Sequence, residues 1–98
     1  MKITSTKNAT HYFIFGSILE SDPLYPAIVA DVLALAQREG FKAEIYAEKD
    51  EYSGDEEGEL QVETWIAKKS VPHVNELFDG IFRKHTGQPD AACDVERL

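Results

Sequence analysis

The chain has 98 residues, 43% of them hydrophobic, and carries eighteen acidic against ten basic residues, a formal charge of −8. A chain of this length fits a single domain, residues 1–98, in which folding buries roughly two-thirds of the surface that the unfolded chain exposes. The charge argues against nucleic acid, whose backbone is held by lysines and arginines that displace counterions, and against anionic membranes; a protein partner with a basic surface suits it better.

Cys93 is the only cysteine, which excludes an internal disulfide and a cysteine-rich zinc site. The opening residues MKITSTKNATHYFIFG lack the apolar run and small-residue cleavage site of a signal peptide. No segment approaches the roughly 20 apolar residues that span a bilayer. The expectation is a cytoplasmic protein that does not bind membranes.

Residues 1–9 read as a flexible N-terminal arm. HYFIFG, His11 to Gly16, sets four β-favouring residues in a row, as a central strand covered on both faces requires. SILESD reads as a loop. Pro23 and Pro26 each suit a first helical turn, where a missing N–H does no harm, with Asp22 as an N-cap candidate. Ile28, Val29, Val32, Leu35 and Ala36 then recur at helical spacing, and Gly40 supplies a left-handed stop.

FKAEIYAE alternates Phe41, Ala43, Ile45 and Ala47 with Lys42, Glu44, Tyr46 and Glu48, the period of a half-buried strand. The same period returns in LQVETWIA, its antiparallel partner. Between them, residues 49–58 form an acidic hairpin loop containing two glycines, Gly54 and Gly58. A second helix follows Ser70, Val71 and Pro72, with Val74, Leu77, Phe78, Ile81, Phe82 and His85 on one stripe and Thr86-Gly87 at its end. Gly80 inside it costs about 1 kcal/mol against alanine, so either its face is exposed or something packs closely there. DAACDVE, Asp90 to Glu96, reads as a short last strand. The order predicts a ferredoxin-like βαββαβ sandwich: a four-stranded antiparallel sheet, strands one and three central, with two helices on one face.

The stretch from Glu48 to Glu63 holds eight acids, Glu48, Asp50, Glu51, Asp55, Glu56, Glu57, Glu59 and Glu63, against one base, Lys49. A helix-loop-helix calcium loop needs oxygen ligands at its first, third and fifth positions, glycine at the sixth and glutamate at the twelfth. Counting from Asp50 or from Asp55 fails that register. His73 and Glu76 at a helix start could seat one face of a metal, but nothing completes the ligand set. His85 continues the apolar stripe, and Cys93 alternates inward with Ala91 and Val95 as a small buried residue. An acylphosphatase-like site would need an arginine in a glycine-rich cradle after strand one, where GSILESDP offers only acids. No catalytic, cofactor or metal residue is therefore assigned, and a non-enzymatic protein is expected.

Tyr46 and Trp65 fall opposite the helix-facing set, and strand one adds either Tyr12 with Ile14 or Phe13 with Phe15. The expected result is an aromatic patch rimmed by Glu44, Glu48, Glu63 and Asp94, suited to protein contact or self-association rather than to RNA. The candidate partner-binding residues are the eight acids together with Tyr46 and Trp65.

THYFIFG, REGFKAEIY, VETWIAKKSVP and HTGQPDAACD, spread from Thr10 to about Asp94, resemble the RraB family, named for a protein regulator of ribonuclease E. The resemblance implies a ferredoxin-like fold, no catalytic residues and an acidic regulator that binds a protein. The expected function is binding, and inhibition, of a partner with a basic surface, such as a ribonuclease. Two other readings fit the sequence: a homodimeric module that senses a small ligand, and a phage-type inhibitor that mimics DNA.

Overall fold

The computed structural model describes residues 9–48 and 58–97. Their elements run β1 (His11–Leu19), α1 (Leu24–Glu39), β2 (Lys42–Glu48), β3 (Glu59–Trp65), a turn of 3-10 helix (Lys68–Ser70), α2 (Val71–Thr86) and β4 (Asp94–Arg97). The strands make one antiparallel sheet in the order β2-β3-β1-β4, an α+β arrangement with β1 and β3 central.

Alternation puts Phe13 and Phe15 of β1 and Leu60 and Val62 of β3 on one face, where they join Ile28, Val32 and Leu35 of α1 and Val74, Phe78 and Phe82 of α2 in a single core. Both helices therefore lie on that face. Phe78 is its hub, edge-on to Phe13 at a ring separation of 4.8 Å and tilted against Phe15 and Phe41. The two helices are also joined by polar pairs. His85 Nε2 lies 2.7 Å and Lys84 Nζ 3.2 Å from the Asp31 carboxylate, and His73 Nε2 lies 3.2 Å from Glu39.

Helix ends follow local chemistry. Asp22 accepts the Leu24 N–H, although Pro23 occupies the N-cap position, and Pro26 lies in the first turn, where its missing N–H costs nothing. Gly40 and Gly87 take left-handed conformations and donate to the Ala36 and Arg83 carbonyls. Gly80 is exposed, and a Cβ there would meet nothing within 4 Å. No close packing explains that glycine.

Three boundaries differ from the sequence reading, each for a tertiary reason. β1 runs on to Leu19, because a bulge lets Phe15 pair with Leu60 and Leu19 with Glu59. The bulge is held by the Glu59 carboxylate, which accepts the N–H of Ser17, a residue at φ 68°. β4 begins only at Asp94. Before it, the Asp79 carboxylate accepts the Cys93 N–H and Arg83 donates to the Ala91 carbonyl, so helix side chains take the backbone groups that a longer strand would have paired. Finally, Ala9, read as part of a flexible arm, is buried, and Thr10 donates its N–H to Thr64.

Candidate functional site

The face of the sheet turned away from the helices carries the candidate site. Cross-strand register sets Glu44, Glu63, Tyr12 and Glu96 side by side, one residue from each strand, so that three carboxylates and a phenol cross the whole sheet. The Tyr12 hydroxyl donates to Glu96. The next row is Tyr46, Gln61, Ile14 and Asp94. On the other side of the acidic row, Lys42 stands opposite Trp65, its ammonium 4.5 Å from the ring centre, and it also pairs with Glu44 at 3.5 Å. The strand-one alternative thus resolves to Tyr12 with Ile14 on this face, with Phe13 and Phe15 in the core.

The aromatic side chains expected to form a patch lie on this face, but none of them is fully exposed among the described residues. Tyr46 and Trp65 are half-buried, Tyr12 is buried, and the only exposed large hydrophobic residue among those described is Leu33 of α1. At the centre, Glu63 and Gln61 are only 5% and 3% exposed. Like carboxylates directly opposite one another are unfavourable in a sheet; Glu44 and Glu63 are so placed, and Lys42 pairs with Glu44. The solvent-facing part of the row is Glu96, with Asp94 in the row beside it.

The candidate acids separate by place. Glu48 and Glu59 pair across the β2–β3 ladder at the end where the acidic stretch leaves the sheet. Glu59 is half-buried and committed to the β1 bulge. Asp50, Glu51, Asp55, Glu56 and Glu57 lie outside the described residues. The end of the stretch that is described is tied down: the Glu20 carboxylate accepts the Gly58 N–H at 3.0 Å, and the Glu20 N–H donates to the Gly58 carbonyl at 3.2 Å. Gly58 is required there, because a Cβ would stand 2.6 Å from the Ala47 carbonyl carbon. Glu20 and Glu96 escaped the sequence reading, and Tyr12 stood in it only as one of two alternatives for strand one. The parity of β1 was the one available signal for Tyr12, and only the β1–β4 register reveals Glu96.

Elsewhere, side chains with chemical potential are engaged in structure. Burial pushes the Cys93 thiol far above its ordinary range, and the neighbouring Asp79 adds to the effect, so its nucleophilic thiolate is suppressed. His85 holds Asp31 below the usual carboxylate range, with Lys84 second. Among the described residues no group of three His, Cys, Asp or Glu side chains is placed to hold a metal ion, and no helix is long and apolar enough to cross a membrane. Comparison of the chain with protein-family models, curated proteins and solved structures finds no match.

Proposed function

We propose that the protein is a small, acidic, non-enzymatic regulator that acts in the cytoplasm on a ferredoxin-like βαββαβ fold. It binds a protein partner with a basic surface, a ribonuclease or other nucleic-acid-handling enzyme as the RraB resemblance implies, and inhibits it by presenting carboxylates where that enzyme takes phosphates. The observation that carries the reading is the acidic row across all four strands, Glu44, Glu63 and Glu96 around Tyr12. It adds to the acidic stretch that joins β2 to β3 and to a net charge of −8. Glu96 and Asp94 are exposed, which supports their direct contact with the partner, whereas Glu63 is buried. The strand order, with each helix crossing between strands of one antiparallel sheet, supports the fold assignment.

The experiment is a titration of the protein into a ribonuclease E-type endoribonuclease cleaving labelled RNA. Cleavage should fall to a plateau as protein is added, and the inhibition should weaken as salt rises. Cleavage that is unchanged at every protein concentration and salt contradicts the reading for this partner class.

A further inference from the structure

The chain's one buried histidine lies at the start of β1. His11 shares the helix-facing side with Phe13 and Phe15 and is 8% exposed. Its Nδ1 lies 3.0 Å from the Thr10 hydroxyl, and that hydroxyl already donates to the Thr64 carbonyl and accepts the Ile66 N–H. A hydroxyl has one proton to give and two lone pairs. Its remaining capacity is therefore for acceptance, so neutral His11 carries its proton on Nδ1 and a second proton must enter at Nε2. Directly across the β1–β4 ladder stands Arg97.

β4 is the element least able to resist an added charge. It has four residues, it pairs only with β1 among the described strands, and Val95 is its one residue that is not exposed. Like charges directly opposite in a sheet are destabilising. We propose that His11 is a proton-operated latch for the last strand: protonation at Nε2 sets a cation against Arg97 across the ladder and loosens β4 from β1.

The surroundings are consistent with this assignment. Burial lowers the affinity of His11 for the proton and Arg97 lowers it further, so the folded state favours the neutral ring. Facing the imidazole are the hydroxyls of Thr10 and, on β3, Thr64, whose Oγ1 donates to the His11 carbonyl. Glu63 and Glu96 project from the opposite face of the sheet. Of the charged groups of the helices, His73 and Arg38 pair with Glu39, His85 and Lys84 with Asp31, and Asp79 and Arg83 hold the segment before β4, while Glu76 of α2 is exposed. Lys68 and Lys69 of the 3-10 turn are exposed. Among the described residues no carboxylate pairs with the ring to compensate the added charge.

Because the folded state disfavours the proton, the stabilisation from neutral His11 is complete above the ordinary histidine value of 6.5 and is lost as pH falls through the lowered folded value. Amide hydrogen exchange, corrected for the intrinsic rate, tests the latch between about pH 8 and about pH 5, the range in which histidine changes charge. Protection of the β1–β4 ladder should be lost on acidification while the β2–β3 ladder stays protected. His11→Gln should abolish this selective loss. Arg97→Gln, at an exposed position that leaves the core untouched, should weaken it. Equal loss across the whole sheet, no loss at all, or a selective loss that survives in Arg97→Gln at full size would each overturn the proposal.

Discussion

Two glycines make opposite demands on an added methyl group. At Gly80 it meets open space in the middle of an α-helix, so Gly80→Ala should stabilise the protein by about 1 kcal/mol in urea unfolding, through propensity alone. At Gly58 it would stand 2.6 Å from backbone, so Gly58→Ala should destabilise by roughly 1–3 kcal/mol, the usual cost of overpacking. In the core, Phe78→Ala removes the ring that touches Phe13, Phe15 and Phe41 and should cost roughly 3–5 kcal/mol. The helix core residues Val74, Phe78 and Phe82 were legible in the sequence because burial there follows period, whereas strand spacing left Phe13 with Phe15 and Tyr12 with Ile14 as equal alternatives for the core face of β1. The roles of Glu20 and Glu59 were not legible. An acidic residue beside an acidic stretch gives no sign that it will accept a backbone N–H from a distant segment.

Between elements, the α1–α2 contact combines the apolar core with the Asp31–His85–Lys84 and Glu39–His73 pairs. Asp31 is held below its ordinary value of 3.8, first by its hydrogen bond with His85 and then by Lys84. A depressed carboxylate stabilises the fold above its unfolded value and loses that contribution as pH falls through the folded one. Asp31→Asn should therefore be less stable than the parent at neutral pH, and the gap should close below about pH 4 in unfolding measured across pH. Element type and order were readable because each segment keeps one period and the helices end on glycine. Where the ends differed, the cause was long-range. β1 outlasts its apolar run because Glu59 stabilises a bulge, and β4 starts late because Asp79 and Arg83 hold residues 91–93 from the neighbouring helix.

For the molecule as a whole, charge and fold act together. The sheet brings Glu44, Glu63 and Glu96 onto one face, and the acidic stretch leaves the sheet from the Glu48–Glu59 end. The acidic stretch was visible in the sequence, whereas the row was not, since it depends on the register of four strands. Replacing Asp55, Glu56 and Glu57 by Asn and Gln should change stability by no more than about 0.5 kcal/mol. Partner association should instead become slower and its salt dependence flatter, because charges that act through solvent are screened over about 8 Å at physiological salt. The most direct measurement of the central claim is capture from native lysate at low salt by two immobilised baits, the parent and a variant with Asp55, Glu56, Glu57, Asp94 and Glu96 neutralised to Asn and Gln. The account predicts that the parent retains a protein with a basic surface, releases it as salt rises, and inhibits it once purified, while the variant retains little of it. Retention of the same proteins by both baits with the same salt dependence would contradict it.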